Sequence, residues 1–271
     1  MKDKRALKEF YDRVGAAYPE EEQVYRTLRG RLRKRFVIEW LRAQTGALLE
    51  IGTNRGMYLH YYEGVRVGVD LSQSALQRAR RGASVFYAVA DAERLCFKSG
   101  AFDRVLCSEL LEHCFHPAAV FDSIYQVLKS GGCALLTTPN YRGERPTWVA
   151  LGAMADYGVT GDQGARYFHT AYRPQELAEY AERAGLQVVR AGTLEKEVKY
   201  AAKIPAAILK TGRWLNKRLK SARFARWNQD LFQHLSLLCY NVAHYTLLER
   251  VALLFVKEGV RSYIIMRKGE L

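Results

Sequence analysis

A chain of 271 residues, 49% apolar and 26% charged, can bury a full core and has the composition of an ordinary soluble globular protein. The formal charge of +14 is uneven: residues 1–45 carry 12 basic and 7 acidic side chains, 46–198 carry 16 and 17, and 199–258 carry 11 and 3. The opening "MKDKRALKEFYDR" is too charged for a secretory leader, and the five cysteines form no CxxC pair, so they read as reduced thiols with no zinc site expected from them, in a cytoplasmic protein.

Residues 1–45 are expected to form a helical cap. Leu48 to Ile51 then read as a buried strand, Gly52 as a sharp turn, and Gly56 as the start of a helix, "GMYLHYYE". The segment 65–71, "VRVGVDL", is a second strand ending in an acid. It is followed by a helix over 72–82 with a Ser cap and a Gly stop. Strands follow at 84–92, 101–109 and 132–140, with a helix through "AAVFDSIYQVLKSGG". Residues 141–173 are irregular and aromatic-rich. A Pro-initiated helix (174–185), a strand (186–192) and a last strand candidate (260–268) complete the order. Alternating strands and helices predict an α/β fold: a doubly wound, mostly parallel, seven-stranded, Rossmann-like sheet. Its core is expected at 46–198 and 259–271, with a helical lid inserted at 199–258.

"LLEIGTNRG" (48–56) asks which nucleotide-like cofactor its turn holds. A nicotinamide cofactor would want G-x-G-x-x-G, which is absent. The stretch resembles instead the E/D-x-G-x-G-x-G turn of class I S-adenosylmethionine-dependent methyltransferases. Glu50, Gly52 and Gly56 match that turn, and Asn54 stands at the middle glycine, where it tolerates left-handed backbone better than most residues. The resemblance implies a ribose site at Asp70 and Leu71, an adenine-edge site at Asp91 and Ala92, and a fourth-strand contact at Ser108 within "CSELLEHCFHP".

Glu109, Glu112 and His113 are spaced i, i+3, i+4 and would share one face of a helix. Imidazole titrates near neutrality, so His113 is a candidate general base. His169 could close over the same place, and Glu109 is a third catalytic candidate. The E-x-x-E-H element resembles that of the ubiquinone-biosynthesis O-methyltransferases, where such a set is associated with a divalent cation. Glu109, Glu112 and His113 are the ligands this implies, although the same element is common without a metal.

Between Lys199 and Arg226 lie nine basic residues and no acid. Ile204, Ile208, Thr211, Leu215 and Leu219 form one helical stripe, with Trp214 near its border, the pattern of a helix lying in a membrane interface. Gly212 and Pro205 are expected to weaken that helix. Residues 231–256 read as a buried helix or a partner interface, too polar to span a bilayer. These features point to methyl transfer to a hydroxyl or carbon of a hydrophobic quinone-like or lipid-linked molecule, peripherally at the inner membrane face. Two alternatives remain, an RNA ribose methyltransferase and a partner protein that binds the cofactor without catalysis.

Overall fold

The computed structural model describes residues 4–17, 26–79, 82, 84–150 and 166–270. Part of the expected cap (18–25) and the middle of the aromatic insertion (151–165) lie outside the described residues. The chain divides into two compact units. One holds residues 1–19, 37–192 and 261–271, and the other holds 20–36 and 193–260. This differs from the expected borders: the cap is split, and α2 (Leu28–Arg42) gives its first half to the helical unit. Leu28 and Leu32, one helical turn apart, bury against Val198 and Ala201 there.

The larger unit is a seven-stranded sheet built from β1 (Leu48–Ile51), β2 (Arg66–Asp70), β3 (Val85–Val89), β4 (Phe102–Ser108), β5 (Leu128–Pro139), β8 (Leu186–Leu194) and β9 (Arg261–Lys268). Its order is β3-β2-β1-β4-β5-β9-β8. The pairs from β3 to β5 are parallel, and β9 is antiparallel to β5. Val105, Leu106 and Cys107 are fully buried in succession, as a central parallel strand covered on both faces requires. Helices α4 (Pro117–Val127) and α5 (Pro174–Arg183) start on proline, and α4 lays Val120, Phe121, Ile124 and Val127 onto the sheet.

Two expected helices are shorter than the sequence suggested. Met57, Tyr58, Leu59 and Tyr62 are all buried, so the stretch has no solvent face for a helix. It forms one 3-10 turn, Leu59–Tyr61. The Ser72 hydroxyl does cap α3 (Gln73–Gln77), accepting from Ala75 N at 3.1 Å, but the helix ends there instead of reaching Gly82. The aromatic insertion is not wholly irregular, since β6 (Trp148–Ala150) and β7 (Arg166–Phe168) pair antiparallel. Helix α1 (Lys4–Ala17) packs Phe10 on Tyr167, with ring centroids 5.7 Å apart.

The helical unit contains α6 (Val198–Ala201), α7 (Lys203–Leu219), α8 (Ala222–Tyr245) and α9 (Leu248–Leu254). Pro205 falls in the first turn of α7, where its missing N–H costs little. Gly212 does not break the helix. A Cβ there would collide with the Asn228 side chain, so glycine is what lets α7 and α8 approach, and Asn228 donates to Leu209 O at 3.0 Å. Residues 231–256 are not a buried helix: α8 fully buries only Asn228 and Ser236, and α9 buries nothing. Among the described residues no helix is long and apolar enough to cross a membrane.

Candidate active site

The sheet changes direction between β1 and β4, which places a crevice beyond the carboxyl ends of the strands. Ile51 pairs with Val69 and Asp70 with Val89, so Gly52, Asp70 and the turn after β3 follow one another along that edge. Gly52 and Gly56 have φ of +73° and +72°, and Asn54 has +47°, so the turn uses left-handed backbone at all three alternating positions. The N–H groups of Gly52 and Thr53 both go to Val69 O (2.8 and 3.0 Å), and that of Gly56 to Thr53 O (2.8 Å). A pyrophosphate would need such groups free. Their use within the turn favours a cofactor without phosphate.

The acids are oriented by the backbone and by one hydroxyl. Thr53 Oγ1 donates to the buried Glu50 at 2.7 Å. Asp70 accepts from Asn54 N (2.9 Å) and Ser72 N (2.8 Å), while burial pushes its carboxyl above the usual range against those bonds. Asp91 accepts from Glu93 N at 2.9 Å, with Ala92 buried and Leu71 half-buried beside the cleft. The Asn54 side-chain oxygen is buried without a partner among the described residues, as an atom kept for a ligand would be. These residues fit S-adenosylmethionine, whose ribose hydroxyls need an oriented carboxylate.

At Gly56 an added Cβ would strike the Tyr87 hydroxyl, in a backbone conformation that costs an L-residue about 1–2 kcal/mol. Gly56→Ala is therefore expected to weaken cofactor binding several-fold in calorimetry, and adding Tyr87→Phe should recover part of the loss. Full affinity in the single variant would show that the turn does not shape the cleft.

The corner at Glu109–His113 is arranged differently from the expected helix face. Glu109 sits at φ +56°, so the chain turns there, and only Leu111–His113 form a 3-10 turn. The spacing i, i+3, i+4 therefore does not put the three candidate ligand atoms in one group. The Glu109 carboxylate lies 2.6 Å from Arg261 Nε and accepts from Thr137 Oγ1 at 3.1 Å, while Ser108 Oγ meets Thr137 Oγ1 at 3.0 Å. Glu109 thus ties β4 to β5 and β9 and is not a member of the ligand group. The donor atoms that do converge, within 4.8 Å of one another, belong to Glu112, His113 and His169.

Glu112 is buried and accepts from Thr138 Oγ1 at 3.1 Å. Desolvation, then the nearby Glu109 charge, raises its carboxyl to about 8. Burial, then His169, lowers His113 to about 3, so it does not titrate near neutrality as the sequence suggested. His169 is lowered too, first by desolvation and then by Arg261. The two imidazoles meet edge to face at 5.0 Å, and both Nδ1 atoms are buried without a hydrogen-bond partner among the described residues. Tyr11 and Tyr167 wall His113, with centroids at 5.5 and 6.4 Å.

The sequence reading missed the part played by α1. Tyr11 reaches His113, and Asp12 Oδ1 accepts from Ser72 Oγ and Ser74 N, both at 3.2 Å, fastening α1 beside Asp70. The alternation of Phe10, Tyr11 and Val14 with charged residues was the available signal.

The sheet order, the glycine turn and the oriented acids together define an S-adenosylmethionine-dependent methyltransferase. The family model described as "Methyltransferase domain" matches residues 21–191. The chain belongs to this family. A ubiquinone biosynthesis O-methyltransferase of Pseudomonas aeruginosa (strain UCBPP-PA14) is 29% identical over 164 residues, covering 56% of this chain and 70% of that protein. The protein of the same description from Thiobacillus denitrificans is 32% identical over 149 residues, covering 52% and 64%. Among solved structures, phosphoethanolamine N-methyltransferase 2 of Haemonchus contortus, bound to phosphomonomethylethanolamine and S-adenosylhomocysteine, superposes with a TM-score of 0.57 at 19% identity. That match covers 97% of this chain and 61% of the other. At that identity the likeness speaks for the fold alone.

Proposed function

We propose that the protein methylates a hydroxyl of a hydrophobic, quinone-like small molecule. The observation that carries this reading is an uncharged, aromatic-walled corner beside the cofactor cleft. Burial favours the neutral form of both imidazoles and the protonated form of Glu112, and the Arg261 charge is paired with Glu109. Such a surface suits a flat apolar acceptor with one polar edge more than the anionic backbone of RNA. The names of the two relatives, at about a third identity over half the chain, point the same way.

S-adenosylmethionine supplies an electrophilic methyl group on a sulfonium, and the protein's task is to align the acceptor and take its proton. Tyr11 and Tyr167 clamp the ring. His169 receives the proton at Nδ1. Incubation with labelled S-adenosylmethionine and a set of acceptors tests the assignment: transfer to a prenylated catechol and not to RNA is expected, and the reverse outcome overturns it.

A second reading, favoured by the convergence of donors, places a divalent cation on Glu112, His113 and His169, with neutral imidazoles already in the ligand state. Such an ion would polarise the acceptor hydroxyl. Binding must displace the Glu112 proton, so manganese affinity is expected to rise about tenfold per pH unit up to about pH 8 and then level off. Turnover that survives thorough chelation leaves proton removal to His169 alone.

A further inference from the structure

Fourteen of the nineteen large apolar side chains that stand exposed among the described residues fall between Ile204 and Phe255, in the helical unit. This concentration lies outside the segment matched by the family model, which ends at residue 191. It is not a set of scattered surface residues, because the helical period orders it.

On α7 the side turned to α8 is marked by Pro205, Leu209, Gly212 and Asn216. Ile204, Ile208, Leu215 and Leu219 are exposed about a quarter-turn away. On α8 the packed side runs through Asn228, Phe232, Ser236 and Cys239. Trp227, Leu238, Val242 and Tyr245 are exposed a similar rotation to the same hand. Asn216 Oδ1 accepts from Ser221 N across the tight connection, so the two helices form an antiparallel hairpin. In an antiparallel pair, equal rotations of the same hand bring both stripes to one flank. The hairpin therefore has an apolar flank. Lys203, Lys210, Arg213 and Lys217 fall on the other side of α7.

We propose that this flank docks onto the surface of an anionic lipid bilayer, lying in the headgroup region without crossing it. Charge decides between the possible occupants. Residues 199–258 carry 11 basic and 3 acidic side chains, and the exposed Arg218 and Arg223 border the stripes of α7 and α8, so a second copy would meet the flank with like charge, whereas phosphate headgroups would meet it with opposite charge. RNA would use the charge but leave the apolar flank in water. An interface helix uses both, with bordering arginines such as Arg218 and Arg223 reaching the headgroups. Tyr245 and Phe255, 82% and 83% exposed, add aromatic surface of the kind an interface takes up.

Flotation of the full chain with vesicles of phosphatidylcholine, with and without about a third phosphatidylglycerol, tests the proposal. Binding is expected only with the anionic lipid, accompanied by a blue shift of tryptophan emission that Trp227→Phe removes. Leu238→Ser with Val242→Ser leaves the charge unchanged and should weaken binding at least tenfold, with circular dichroism confirming that the helices persist. Three outcomes would overturn the proposal. They are no binding to anionic vesicles, binding indifferent to the serine pair, and a concentration-dependent dimer that the serine pair converts to monomer.

Discussion

Replacing Asp70 by alanine is expected to lower the affinity for S-adenosylmethionine at least about tenfold, the loss of a charge-assisted hydrogen-bond pair. The geometry makes this the largest single effect in the cleft. The Asn54 and Ser72 N–H groups occupy one lone pair on each carboxylate oxygen, at 2.9 and 2.8 Å, and fix the plane of the group. The remaining lone pairs form a two-point acceptor for vicinal hydroxyls. Asparagine should be no better than alanine, because its amide nitrogen would have to face one of two backbone donors. Isothermal calorimetry on both variants, with thermal unfolding to verify the fold, gives the measurement. Wild-type affinity in either variant would remove Asp70 from the cofactor site.

The sheet was legible because its signals are local. Short apolar strands ending in Ile51, Asp70 and Ser108 carry their own boundaries, and the Ser72 cap and Pro117 start mark the helices between them. The cradle was legible for the same reason: its residues lie within one turn and two strand ends. The catalytic corner was harder to read because its partners are far apart in sequence. Residues 109–113 look helical by spacing, but Arg261, from the last strand, takes Glu109, and the left-handed backbone at Glu109 ends any helix face. His169 enters through Thr170 N, which bonds to Glu112 O at 2.9 Å, a contact no spacing announces. Tyr11 was hidden likewise, since an amphipathic N-terminal helix does not reveal what it covers. The hydrophobic stretch 231–256 misled in the opposite direction. Its apolar content suggested burial, while the hairpin needs only a narrow face for packing and leaves the rest in solvent.

The second large effect is expected at His169. His169→Gln should lower turnover by about 10²–10⁴, the usual contribution of a positioned base, with the S-adenosylmethionine affinity nearly unchanged. His113→Gln should cost less if His113 serves to orient, because a group held near 3 by burial is a weak proton acceptor at physiological pH. The pH profile separates the two readings of the corner. A base is active when unprotonated, so activity should fall as pH drops through the pKa of His169, which desolvation and then Arg261 place below the usual 6.5. The turnover profile of the wild type should then be flat from neutrality upward, and Arg261→Met should move the acid limb toward higher pH by removing a repelling charge. If a cation on Glu112, His113 and His169 activates the acceptor, the controlling group is Glu112, and activity should instead climb until about pH 8. In that case Glu112→Gln abolishes the climb and most of the turnover together. A profile flat through both ranges, with full activity in His169→Gln, would leave neither imidazole nor carboxylate a role in proton removal.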